Sequence, residues 1–141
     1  MNRRIPGTAL AVKRPVTVAS STILVVDDDP EVIHTFRQWL ELEGYQVRTA
    51  SDGQAALPLT PGVDAIILDA RMPILDGLGF LRRLREQDMQ VPVAIVTGDY
   101  LIEESMLEEF KRLGARIMFK PVWVDELGVL TACLVARSEV S

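Results

Sequence analysis

The sequence predicts an α/β domain: one doubly wound, five-stranded parallel sheet covered by five helices. Three observations carry this. Short unbroken apolar runs such as Ile23–Val26, Ala65–Leu68 and Val93–Thr97 are bounded by turn residues, as strands buried on both faces are. Stretches with apolar residues at helical spacing follow the strands in turn. The 141 residues fit one domain with a real core.

The first strand, Ile23–Val26, ends in Asp27-Asp28-Asp29-Pro30. Proline suits the first turn of a helix, and an Asp before it caps free N–H groups. Val32, Phe36, Trp39 and Leu40 then recur at helical spacing up to Gly44. Gln46–Thr49 is a short second strand, and Asp52-Gly53 opens a second helix that Pro58 and Pro61 keep short. Ala65–Leu68 is the central third strand, closed by Pro73 and the Asp76-Gly77 pair. Leu75, Leu78, Leu81 and Leu84 mark the third helix. Val93–Thr97 is the fourth strand, and Met106, Leu107, Phe110 and Leu113 mark a fourth helix stopped by Gly114. Ile117–Phe119 is the fifth strand, before Lys120-Pro121, and Leu127, Leu130 and Leu134 make the fifth helix. Right-handed crossovers place all five carboxyl strand ends on one edge. The expected order is flavodoxin-like, 2-1-3-4-5.

Charge is unevenly placed. Residues 1–20 hold Arg3, Arg4, Lys13 and Arg14 and no acid, so with a net charge of −5 the rest carries −9. We read 1–20 as a flexible basic tail, 21–137 as the domain and 138–141 as a short C-terminal tail. The apolar stretch after Arg3-Arg4 is too short for an export signal, and no run approaches the roughly 20 residues of a membrane span. An acidic body argues against direct DNA binding. The single cysteine, Cys133, fits a reducing cytoplasm and lies in an apolar helical pattern, which predicts a buried or interface thiol. No glycine-rich nucleotide fingerprint is present.

The strand ends collect chemistry on one edge. The first strand supplies Asp27 and Asp28, the third Asp69, the fourth Thr97 and the fifth Lys120. Singly, each has a structural reading, as helix cap, strand residue or surface lysine. Together they form a constellation. Crowded carboxylates repel one another unless a cation sits among them, and all-oxygen donors at an open edge suit Mg²⁺. A carboxylate can act as nucleophile to form an aspartyl phosphate, with Mg²⁺, the Lys120 ammonium and the Thr97 hydroxyl stabilising the transferred group. Gly98 leaves space beside it.

These stretches make the chain resemble the receiver domain of bacterial two-component response regulators, of the stand-alone, chemotaxis-regulator-like kind. The matching segments are Ile23–Pro30, Leu68–Pro73 with Asp76-Gly77, Val96-Thr97-Gly98, and Gly114-Ala115 followed by Lys120-Pro121. The resemblance implies that Asp69 accepts phosphate from a histidine kinase or phosphotransfer protein. It implies that Asp27 and Asp28 hold Mg²⁺, with Asp28, Asp69 and the Arg71 carbonyl as direct ligands, and that Thr97 and Lys120 bind the phosphoryl oxygens. The output expected is phosphorylation-dependent protein contact, without enzymatic turnover of a substrate and without membrane or DNA contact.

The chain departs from the family pattern at three places. Ile117 stands where an aromatic switch residue is usual, three positions before the lysine. Val122 and Trp123 replace the usual Phe and capping Asp, which puts an aromatic ring near the output face. Few residues follow the last helix, so no effector domain is expected there. The enzyme alternative is a small haloacid-dehalogenase-type phosphatase, since Asp27-Asp28-Asp29 contains an Asp-x-Asp; against it, the chain lacks room for a cap domain and its best strand-end acid is on the third strand. A degenerate, purely protein-binding receiver conflicts with the intact set of five residues. His34 lies off the apolar stripe of the first helix and reads as a surface residue. Glu103, Glu104, Glu108 and Glu109 read as a solvated face, or as an acidic partner patch. The fifth helix has surplus apolar residues in Val129, Cys133, Val135 and Ala136, which predicts an interface; the resemblance implies that the face of fourth helix, fifth strand and fifth helix makes a homodimer or docks a protein target. Arg71 and Asp99, each two residues beyond a site residue, are expected to pair across the mouth of the site.

Overall fold

The computed structural model describes residues 21–140. The basic tail expected over 1–20 lies outside the described residues, as does Ser141. Five strands run in order, β1 (Thr22–Val26), β2 (Gln46–Ala50), β3 (Ala65–Leu68), β4 (Val93–Thr97) and β5 (Arg116–Phe119). All pair in parallel, in the sheet order β2-β1-β3-β4-β5. The helices are α1 (Pro30–Leu42), α2 (Gly53–Ala56), α3 (Gly77–Glu86), α4 (Glu104–Arg112) and α5 (Val124–Val140). The expected order and alternation are both observed. A 3₁₀ turn, Leu57–Leu59, extends α2, because Pro58 and Pro61 forbid a longer α-helix.

Strand alternation sorts the core into two layers. Leu24, Val26, Ile66, Leu68 and Ile95 face one side, where Phe80, Leu81, Leu84 and Phe110 of α3 and α4 cover them. Ile23, Val25, Ala65, Ile67 and Val96 face the other, under Phe36 and Leu40 of α1 and Leu127, Leu130 and Leu134 of α5. Each buried Ile, Leu or Phe contributes about 1.5–3 kcal/mol relative to exposure, which holds the strand ends in register.

Helix starts follow the capping signals. Asp29 caps α1, its Oδ1 accepting the Glu31 N–H at 2.9 Å, and Asp76 caps α3 by accepting the Gly79 N–H at 2.8 Å. Gly114, at φ +85°, ends α4 in the left-handed region that a C-terminal glycine supplies.

Three details differ from expectation. Leu75 precedes α3 in a loop, and the helix uses Phe80 with Leu78, Leu81 and Leu84 for its buried face. The helix α5 continues to Val140, through most of the stretch assigned to a C-terminal tail. Cys133 is exposed, not buried: the buried side of α5 is Leu127, Leu130, Thr131, Leu134 and Val135. The surplus apolar residues that the sequence showed thus divide, Val135 inward and Val129 and Cys133 outward, with Val129 67% exposed. Among the described residues no helix is long and apolar enough to cross a membrane.

Candidate functional site

The carboxyl edge brings the strand-end residues together. Backbone ladder bonds fix them: the Asp69 N–H donates to the Val26 carbonyl at 2.9 Å, the Asp27 N–H to the Ala50 carbonyl at 3.1 Å, and the Lys120 N–H to the Thr97 carbonyl at 2.9 Å. Asp27, Asp28 and Asp69 each offer a carboxylate oxygen within 4.8 Å of the others. Asp27 and Asp69 are buried and Asp28 is exposed. The Lys120 ammonium donates to Asp27 Oδ2 at 2.8 Å and lies 4.0 Å from Asp69 Oδ2.

The three successive aspartates divide their work. Asp29 is spent on the helix cap. Asp27 is held on both sides, its Oδ1 accepting the Asp29 N–H at 2.9 Å and its Oδ2 the Lys120 ammonium. Asp28 faces the open edge, where an opening of about 400 Å³ is lined by Asp28, Arg71, Met72 and Asp76. A second opening of about 270 Å³ places Asp28 beside Ile33, His34 and Arg37 of α1, and His34 is exposed there as expected.

Asp69 is the perturbed group. Burial first, then the charge of Asp27, pushes its carboxyl up to about 6; Lys120 and the N–H groups of Arg71 and Ala70 act in the opposite direction. A buried carboxylate beside a second one gains most from a cation. The donor set fits Mg²⁺: three carboxylates, all hard oxygen ligands, open on one side for water and phosphate oxygens.

Thr97 is buried, and its Oγ1 accepts the Asp99 N–H at 3.1 Å. A methyl group added at Gly98 would come no nearer than 3.8 Å to Lys120 Cδ, so the space expected there is present. The expected Arg71–Asp99 pair forms, with Nε to Oδ2 at 2.8 Å. This pairing and the Leu101 N–H hold the Asp99 carboxyl below the usual range. Ile117 is half-buried against the α3–α4 layer. The exposed aromatic rings near this edge are Tyr100 and Phe119, stacked with centroids 5.6 Å apart, and Trp123. In the acidic face of α4, Glu109 is engaged by Arg82 and Arg112.

One residue of the site escaped sequence reasoning. A Cβ at Gly77 would fall within the contact radius of the Asp69 carbonyl oxygen and 3.0 Å from Ala70 Cα. Gly77 lets α3 begin directly against the backbone that carries Asp69. The Asp76-Gly77 pair signalled a turn and part of the family match but not this contact, since close approach is invisible in one dimension.

Comparison with known proteins agrees with this fold. The family model described as the response regulator receiver domain matches residues 23–130. Response regulator MprA of Mycolicibacterium vanbaalenii is 42% identical over 121 residues, covering 82% of this chain and 51% of that protein. The alkaline phosphatase synthesis transcriptional regulatory protein PhoP of Bacillus subtilis is 35% identical over 127 residues, covering 84% and 50%. The chain spans about half the length of these curated relatives. The receiver domain of the Francisella response regulator 1452 superposes with a TM-score of 0.74 at 32% identity, covering 84% of this chain and 98% of that one. The match leaves the haloacid-dehalogenase reading without support, in keeping with an Asp27 already bound on both oxygens. With sequence, fold and edge chemistry in agreement, the chain belongs to the response regulator receiver domain family of two-component systems.

Proposed function

We propose that Asp69 is the phosphoacceptor of a phosphorylation switch, and that the signal leaves by protein contact. The observation that supports this most is the placement of the Lys120 ammonium between Asp27, at 2.8 Å, and Asp69, at 4.0 Å, beside the exposed Asp28. A histidine kinase or phosphotransfer protein donates the phosphoryl group. An Asp69 oxygen attacks phosphorus, the phosphorus–nitrogen bond of the phosphohistidine breaks, and the imidazole leaves.

Asp28 and Asp69, with the Arg71 carbonyl, would hold Mg²⁺, and Asp27 would act through it and through Lys120. When bound, the ion supplies positive charge to the phosphoryl oxygens. Lys120 supplies a second positive centre, and the Thr97 hydroxyl, whose oxygen accepts the Asp99 N–H, keeps its own proton to donate to a phosphoryl oxygen. Transfer of this kind needs mainly positioning and charge stabilisation, which the ladder bonds and the cation provide. The chain then acts as an acceptor switch with no substrate turned over. The readout surface is α4, β5 and α5, where Phe119 and Val129 are exposed; a homodimer through it is one form of that contact. The excess of acid over 21–141 disfavours DNA as the direct partner.

Incubation with acetyl phosphate and Mg²⁺ should add one phosphate by intact-mass spectrometry. Asp69→Asn should take up none, and Asp28→Ala should require far more Mg²⁺. Labelling of Asp69→Asn at the wild-type rate overturns the assignment. Sustained release of p-nitrophenol from its phosphate would identify a phosphatase instead.

A further inference from the structure

We propose that the basic segment 1–20 docks back on its own domain, in the groove between β5 and α5. The groove holds about 510 Å³, with Ile117 and Met118 of β5 and Val129 and Cys133 of α5 among its lining. It lies along the sheet edge, since β5 ends the strand order. Asp125 and Glu126 also line it, at the start of α5. One oxygen of each carboxylate accepts a local N–H: Asp125 Oδ1 takes that of Glu126 at 3.1 Å, and Glu126 Oε1 that of Trp123 at 2.9 Å. The second oxygen of each is left for a cation. Arg116 is the one cation among the lining residues, at the strand-start end.

Charge, composition and reach select the occupant. Residues 1–20 carry four cations and no acid, against −9 on the rest of the chain. Between the two basic pairs lies Leu10-Ala11-Val12, an apolar run suited to Val129 and Cys133. Ser21 leads into β1, three strands from β5 or about 15 Å across at ~4.8 Å per strand, and the register sets Arg116 level with Val25, so Ser21 and Arg116 lie about 20 Å apart. Residues 13–20 extended span about 26 Å, so Leu10-Ala11-Val12 reaches the groove and Arg3-Arg4 extend beyond it toward Asp125 and Glu126. Arg116 repels Lys13 and Arg14 at the near end, which assigns the acidic end to Arg3-Arg4. Tethering raises the local concentration of such a segment to about the millimolar range, so a modest contact suffices. Docked there, it shields the apolar groove and competes with any other partner of that face.

Cys133 provides the probe, because it is the single cysteine, exposed, and in the groove. A nitroxide attached to it in the full, unphosphorylated chain should attenuate the amide signals of residues 3–14 severalfold at low salt and low protein concentration. High salt should restore them, because the charge pairs are exposed. So should replacing Arg3, Arg4, Lys13 and Arg14 by Glu, which leaves the folded domain untouched, and so should Asp125→Lys with Glu126→Lys. Full signal for residues 3–14 while amides around Cys133 are attenuated would overturn the proposal. So would attenuation of equal size when labelled and isotope-enriched chains are separate molecules in a mixture, since the occupant is then a second copy. Attenuation that persists in the Glu-substituted segment would overturn the charge argument and the proposal with it.

Discussion

The Arg71 guanidinium donates its Nε–H to Asp99 Oδ2 at 2.8 Å and so ties the loop after β3 to the loop after β4. Both loops leave the edge that carries Asp69, and Arg71 lines the opening beside Asp28. The pair is exposed, so it adds little stability. The effect expected of it is kinetic: a pair bridging the two loops beside the opening would obstruct water approaching a phosphoryl group on Asp69 in line. Phosphoprotein decay should be faster in Arg71→Ala and in Asp99→Ala, with little further gain in the double variant. Additive rates, or unchanged ones, would make the two residues ordinary loop residues.

Asp69 should destabilise the metal-free fold at neutral pH. Its folded pKa, about 6, lies above the ordinary 3.8. Below 3.8 both states hold the proton and no cost arises. As pH rises to about 6 the unfolded chain loses its proton first, and above that the full cost is present. Solvent at the open edge limits it to on the order of 1–2 kcal/mol. Urea unfolding without Mg²⁺ should therefore find Asp69→Asn more stable than wild type at pH 7.5, with the difference vanishing below pH 4. A less stable Asn variant at pH 7.5 would contradict the burial argument.

Ile74 has φ +71° in the loop between Asp69 and α3, and 81% of it is exposed. A β-branched residue in the left-handed region costs about 1–2 kcal/mol, and exposure means that little packing offsets it. Ile74→Gly removes that cost at the expense of a freer unfolded chain, about 0.4–1 kcal/mol. A small net gain, about 0.5–1 kcal/mol by chemical denaturation, is expected. A loss would show that the loop relies on the isoleucine side chain.

Light scattering tests the readout face. Beryllofluoride with Mg²⁺ should raise the mass of wild type toward that of a dimer. Val129→Glu should stay monomeric, since Val129 is 67% exposed and a charge there harms an interface without harming the core. Equal monomeric masses in all samples would exclude the dimer and leave a different protein as the partner.

The sequence by itself determined the sheet, its helices and the chemical content of the carboxyl edge. Strand periodicity, proline, glycine and capping aspartates are local signals, and parallel topology forces all strand ends to one side. Asp27, Asp28, Asp69, Thr97 and Lys120 could thus be placed together, and the Arg71–Asp99 pair expected, before any coordinates. Tertiary structure decided what depends on direction and distance. It turned Cys133 outward and Val135 inward, because both fit an apolar helical pattern and only packing against the sheet selects a face. It gave Asp29 to the cap and left Asp28 at the opening, a choice set by backbone angles at the start of α1. It showed Gly77 as the place where α3 meets the backbone of Asp69. Such contacts join residues far apart in direction though near in sequence, and no pattern of residue types encodes them.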